Sequence, residues 1–164
     1  MLVPFAILFW LIIYMSMINP EKKKLVLIFY SAVSIFFYIY VFYFLFFAPR
    51  APVMPLIGIK RTLIDIEYKG FVLIYLAFLI ITAVVTGLHF AINSMKSDKI
   101  GVKWQGKLLL LSFLFFGAGA IADAIFELTV VTLIVFRVLL LLSTFLFYVG
   151  FIMPKWLEKI LKME

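Results

Sequence analysis

Residues 71–91 read FVLIYLAFLIITAVVTGLHFA, a run without a single Asp, Glu, Lys or Arg. As a helix it rises about 30 Å at 1.5 Å per residue, the thickness of a bilayer's hydrocarbon core. Working outward, four more segments have the same character: Leu2–Ile18, Leu25–Phe47, Lys107–Ala124 and Leu128–Met153. Hydrophobic residues make up 67% of the 164 and charged residues 14%, against roughly 45–50% apolar in soluble domains. A water-soluble globule could not cover that much apolar surface, and charge-driven disorder is excluded on the same ground. The fold class is therefore all-α: one integral membrane domain, residues 1–164, a polytopic helical bundle with five transmembrane helices.

The first segment carries Pro4 in its first turn, where proline is tolerated, and stops at Asn19-Pro20. No basic residue precedes it, Lys22, Lys23 and Lys24 follow it, and no small-residue cleavage site separates them. It reads as a span and not as a signal peptide.

Positively charged loops stay on the cytoplasmic side. The loop at 19–24, the loop at 92–107 and the tail hold ten Lys in all, against four basic residues in the 49–70 loop. That bias predicts a multi-pass protein of the cell membrane with its N-terminus outside and its C-terminus cytoplasmic. Trp104 and Trp156 fall at the expected inner interface, whereas Trp10 is mid-helix. The outer loop, Pro49–Gly70, begins with Pro49, Pro52 and Pro55. Beyond them Ile57, Ile59, Ile64, Ile66 and Tyr68 alternate with Gly58, Lys60, Asp65, Glu67 and Lys69. Period two predicts two short strands, a β-hairpin on the outer surface. The tail, Pro154–Glu164, sets Trp156, Leu157, Ile160 and Leu161 on one face and lysines on the other, as an interfacial amphipathic helix would.

Chemistry is constrained by what the chain lacks. With no cysteine there is no disulfide, thiolate metal site or cysteine nucleophile. The one histidine, His89, cannot supply the imidazoles of a zinc centre. The formal charge of +7 is dispersed in short clusters between apolar runs, which marks topology and lipid contact and not nucleic-acid binding.

Polar residues recur along single helix faces. Tyr75, Thr82, Thr86, His89 and Asn93 fall within about 40° of one line at 100° per residue. Ser112, Gly119 and Asp123 form a thinner stripe, Arg137, Thr144 and Tyr148 another, and Ser31, Ser34 and Tyr38 a shorter one. Hydrocarbon cannot satisfy such groups, so the stripes are expected to face one another inside the bundle. The candidate intramembrane polar cluster is Arg137, Asp123, His89, Ser112, Tyr148, Thr82 and Thr86. Helix–helix glue is its bland reading, and a ligand cavity or ion path the sharper one. Arg137 supports the latter, because an arginine at that depth is costly. Asp123 and Arg137 are expected to pair across the hairpin of the last two spans, and His89 to lie level with Ser112 and Tyr148. The run Gly117-Ala118-Gly119-Ala120 reads as close helix approach.

No paired carboxylates and no metal-ligand spacing appear, so the chain is not expected to be an enzyme or to need a cofactor. A complete secondary transporter would show internal repeats and helices broken near the midplane, and neither is present. An accessory subunit of a transporter or channel is the alternative reading. The expected partners are the lipid bilayer and a membrane-protein partner or second copy, with no nucleic acid.

Several short motifs suggest a family. They are Ile57-Gly58, Asp65-Ile66-Glu67-Tyr68-Lys69-Gly70-Phe71, Ser97-Asp98, Gln105-Gly106-Lys107-Leu108-Leu109, Phe136-Arg137-Val138-Leu139-Leu140, Tyr148-Val149-Gly150-Phe151 and Pro154-Lys155-Trp156. Over roughly residues 56–160 the chain resembles the membrane part of archaeal and bacterial seven-helix sensor proteins. In that family a helical bundle serves as input module for a cytoplasmic output domain such as a histidine kinase. With five helices readable instead of seven, the resemblance implies a stand-alone or shortened sensor-like module that signals through a partner.

Overall fold

The computed structural model describes residues 2–46, 58–60, 66–126 and 129–160. Among these the chain forms α1 (Val3–Ile18), α2 (Lys23–Phe46), β1 (Gly58–Lys60), β2 (Ile66–Tyr68), α3 (Gly70–Met95), α4 (Ile100–Ile125), α5 (Val130–Ile152) and α6 (Lys155–Ile160). Four helical stretches, Lys23–Phe44, Gly70–Met95, Ile100–Asp123 and Val130–Ile152, are long and apolar enough to cross a membrane. α1 is apolar but has 16 residues, about 24 Å at the usual rise, against a core of about 30 Å.

α3 and α4 outrun the apolar segments that announce them. α3 continues through Asn93 and Ser94 to Met95, and α4 starts at Ile100, well before Lys107. Apolar length measures what lipid can cover, whereas backbone hydrogen bonding continues until a cap or breaker stops it. α5 begins at such a cap: Thr129 and Thr132 exchange side-chain to backbone bonds in a capping box. It ends at Met153, whose φ of 45° is left-handed, immediately before Pro154, which disfavours helix in the residue preceding it.

β1 and β2 pair antiparallel, with Gly58 opposite Tyr68 and Lys60 opposite Ile66. The expected prolines Pro49, Pro52 and Pro55, together with Ile57, Ile64 and Asp65, lie outside the described residues, as does the connection at 61–65. So do the end of the tail and Glu127.

The chain divides into two compact units, Met1–Ile80 and Ile81–Glu164. In the first, α1 buries one line, Pro4, Ile7, Leu11 and Met15, and Phe5 meets Tyr38 of α2 with ring centroids 5.5 Å apart. The α1–α2 turn is tied by Lys23, whose Nζ donates to Ser16 Oγ at 2.8 Å. α2 packs antiparallel on the first part of α3 through rings: Tyr30 on Phe78 at 5.3 Å, Phe37 on Tyr75 at 4.3 Å and Tyr40 on Phe71 at 5.1 Å. The aromatic residues of α2 thus divide between this packing, as Phe37 does, and an exposed surface that carries Phe29, Phe42, Tyr43 and Phe46.

In the second unit the contacts are made by small residues. A Cβ on Gly87 of α3 would run into the Phe113 ring of α4, so only glycine admits that ring. A Cβ on Gly150 of α5 would lie 2.9 Å from the Leu109 side chain of α4. Gly117 and Gly119 serve different neighbours, with built Cβ positions 3.1 Å from Val84 of α3 and 3.1 Å from Leu140 of α5. Phe113 completes the seam edge-on to Phe147 at 4.6 Å.

Candidate functional site

The α4–α5 seam is the most polar packing surface of the second unit. Ser112 and Ser143 are 0% and 1% exposed. Each hydroxyl donates to the other residue's carbonyl: Ser112 Oγ to Ser143 O at 2.8 Å and Ser143 Oγ to Ser112 O at 3.1 Å. Both hydroxyl protons are satisfied where no water reaches, and the two helices are held in register. The sequence stripes included Ser112 but passed over Ser143. Its signal was the small-residue pair Ser143 and Gly150, seven apart on the line that also carries Phe136, Leu140 and Phe147.

A matching polar contact closes the α2–α3 seam of the first unit. Ser34 Oγ lies 2.7 Å from the Tyr30 carbonyl and 2.8 Å from the Tyr75 hydroxyl. Serine has one proton, and the carbonyl can only accept, so the Tyr75 phenol donates to Ser34. Stacking on Phe37 holds that phenol in place.

The remaining members of the cluster do not converge on these seams. Within the second unit α3 meets α4 along Val84, Gly87 and Ala91. Thr82, Thr86, His89 and Asn93 lie on the other side of α3, about 130–175° from that line at 100° per residue. Thr86 Oγ1 donates back to the Thr82 carbonyl at 2.6 Å, and the Asn93 amide nitrogen lies 3.3 Å from Nε2 of His89. His89 is exposed and Thr82 is buried. His89, Ser112 and Tyr148 therefore share no site.

The expected Asp123–Arg137 pair does not form. Asp123 sits on the α4 face that meets α5, where its Oδ1 is buried and has no hydrogen-bond partner. Arg137 is exposed. The contacts Gly119 to Leu140, Leu109 to Gly150 and Phe126 to Phe136 set the antiparallel register and put Asp123 level with residues 136–137. The seam position at that level belongs to Phe136, and Arg137 is one residue further round, about 100° away. The expectation of convergence rested on axial distance and on side-chain lean, whereas azimuth decides. The same rotation carries Thr144 and Tyr148 out of the seam. Both are exposed, and Thr144 Oγ1 donates to the Leu140 carbonyl of its own helix at 2.9 Å. Beyond Tyr75 the polar stripe of α3, like that of α5, thus faces away from the seam with α4, whereas the α4 stripe lies in the α4–α5 seam and Ser34 and Tyr75 of the α2 and α3 stripes meet in the α2–α3 seam.

Among the described residues no group of three His, Cys, Asp or Glu could hold a metal ion. Comparison with protein-family models, with curated proteins and with solved structures finds no match.

Proposed function

We propose that the chain is a multi-pass protein of the cell membrane that works by binding another membrane protein, as a sensor-like module. One observation carries this reading. The buried hydroxyls of the seams are consumed by one another, Ser112 with Ser143 and Ser34 with Tyr75, while Arg137, Thr144 and Tyr148 are left on an exposed face. Polar groups turned outward from apolar helices suit recognition, whereas a transport path or a catalytic centre would gather them inward. The motif resemblance to seven-helix sensor proteins supports the same reading.

The proposed topology has five spans, α1 to α5, with the N-terminus outside, the C-terminus cytoplasmic and the β1–β2 pair on the outer surface. The ten-to-four basic bias supports it. Lys107 adds to it: its ammonium lies 4.2 Å from the Trp104 ring centre, an arrangement suited to a headgroup boundary. Single cysteines at Lys60 and Lys99 test the topology in this cysteine-free chain. An impermeant thiol reagent on intact cells is expected to label Lys60→Cys and not Lys99→Cys, and the reverse pattern inverts the arrangement.

Function is tested by two measurements on the protein in native membranes and in proteoliposomes. Native mass spectrometry of detergent-free nanodiscs is expected to show a complex of fixed stoichiometry with a second membrane protein. Proteoliposomes are expected to show no selective solute flux. A selective flux abolished by Arg137→Ala instead establishes the alternative, a transporter or channel subunit.

A further inference from the structure

α5 has three lines of side chains. Phe136, Leu140, Ser143, Phe147 and Gly150 form the seam with α4. Val131, Val135, Val138, Leu142 and Phe145 are all exposed and wholly apolar, a surface that lipid chains cover without cost. The third line, Ile134, Arg137, Leu141, Thr144 and Tyr148, is equally exposed but is interrupted by a guanidinium and two hydroxyl groups. Leu141 and Tyr148 are 69% and 54% exposed, so no described element of the second unit covers it. Arg137 makes no ion pair or hydrogen bond among the described residues.

We propose that this third line is the docking surface for a transmembrane helix of another membrane protein, and that the helix carries a carboxylate at the depth of Arg137. The proposal rests on the partner-binding reading above and names the chemistry of the partner. Arg137 is the eighth residue of the 23 in α5, about 10 Å from its start at 1.5 Å per residue. A charge there requires a counter-charge or a route to water.

A headgroup phosphate would serve Arg137 alone. Thr144 lies about 10 Å further along α5 and Tyr148 about 6 Å beyond it, towards the opposite end of the helix, so only an element running the length of α5 meets all three. A second copy is disfavoured by charge. A two-fold axis along the membrane normal sets Arg137 against its own copy at equal depth. Among the described residues of the second unit the carboxylate at that level, Asp123, lies in the α4–α5 seam with Oδ1 already covered. An acidic helix from a different protein satisfies the arginine, and small or hydroxyl residues on it would pack against Thr144.

The test uses the full chain in phosphatidylcholine vesicles, with a donor dye on a single cysteine at Lys99. The probe is an acceptor-labelled Leu/Ala transmembrane peptide bearing one Glu at the depth of Arg137, beside a twin bearing Gln. Energy transfer is expected to show the Glu peptide binding at least tenfold more tightly than its twin. Arg137→Gln is expected to abolish the preference and Arg137→Lys to retain part of it. Moving the charge to the apolar line with the pair Arg137→Val and Val138→Arg is expected to abolish it as well. Equal binding of the two peptides overturns the proposal. So does transfer between two labelled copies that is lost in Arg137→Gln, which assigns the face to a second copy. A Glu preference that disappears when anionic lipid is added to the vesicles overturns it in favour of headgroups. Thiol accessibility at residue 99 in the same vesicles keeps the outcomes separate: a correctly inserted chain with no Glu preference refutes the acidic helix and leaves the membrane reading standing.

Discussion

The α2–α3 seam and the α4–α5 seam solve one problem in opposite ways. Between helices in lipid no hydrophobic force operates, because lipid tails are as apolar as leucine, so association depends on packing and on interhelical hydrogen bonds. The α2–α3 seam fills the space between two helices with rings, Phe37 on Tyr75 and Tyr30 on Phe78, and adds one hydroxyl pair. The α4–α5 seam removes side-chain volume, with Gly119 against Leu140 and Gly150 against Leu109. The backbones then come close enough for serine hydroxyls to reach the opposite carbonyls. Rings gain contact area, and glycines gain proximity. The first arrangement tolerates small changes of volume and the second does not.

The sharpest way to break that contrast is to add volume to the glycine-built contacts. Gly150→Leu drives a side chain into Leu109 of the α4–α5 seam, whose side chain already lies 2.9 Å from a built Cβ. It is expected to cost about 3 kcal/mol, at the upper end of overpacking penalties, when unfolding is followed in detergent. Gly101, with nothing within 4 Å of its built Cβ, is the control. Gly101→Ala is expected to be neutral or to gain about 0.5–1 kcal/mol from helix propensity. On the aromatic side, Tyr75→Leu loses the Phe37 stack and the Ser34 bond together, about 1–2 kcal/mol. Tyr75→Phe, which keeps the stack, isolates the bond. A larger loss for Tyr75→Leu than for Gly150→Leu would reverse the ranking of the two seams.

Hydropathy alone revealed the long apolar helices, because an apolar run of membrane length admits few other structures. Helix ends were less legible: Gln105 and Asn93 continue helices into polar sequence, and a hydropathy reading has no term for that. At the candidate site the stripes were drawn correctly as lines on each helix. Which line meets which neighbour was beyond reach, because that depends on where glycines let a helix approach. Gly87, Gly119 and Gly150 determine the faces in contact. The polar residues then fall in the seam, as Ser112 and Asp123 do, or outside it, as Arg137 and His89 do. Ser143 was missed because its role becomes visible only when Ser112 stands opposite.

Smaller effects sharpen the α4–α5 side. Ser112→Ala and Ser143→Ala each remove one hydroxyl-to-carbonyl bond, and each is expected to cost about 0.6 kcal/mol, the typical size of such bonds in membrane proteins. The two bonds use different donors and different acceptors, so the losses are expected to add in the double variant. A strong coupling would mean that the seam opens as a unit when either bond is lost.

The smallest expected effect is a coupling of zero. If Asp123 and Arg137 met, a cycle of Asp123→Asn and Arg137→Gln would show a clear interaction energy, because breaking a buried pair strands the remaining charge. The register places them level, yet Phe136 occupies the seam position between Phe126 and the next turn of α5, and Arg137 points about 100° away. Asp123→Asn alone is expected to be neutral or stabilising, since it exchanges a buried carboxylate oxygen without a hydrogen-bond partner for an uncharged amide, which costs less to bury. Arg137→Gln is expected to leave the stability of the isolated chain unchanged, because an exposed side chain loses no internal contact. The losses are therefore expected to add to within about 0.5 kcal/mol, the scatter of independent sites. Repeating the cycle with the acidic transmembrane peptide present takes the comparison further. Arg137→Gln is then expected to lower the stability of the complex while Asp123→Asn does not, so that the two charges separate by where they lie: Asp123 in the α4–α5 seam, Arg137 against the helix that docks outside it.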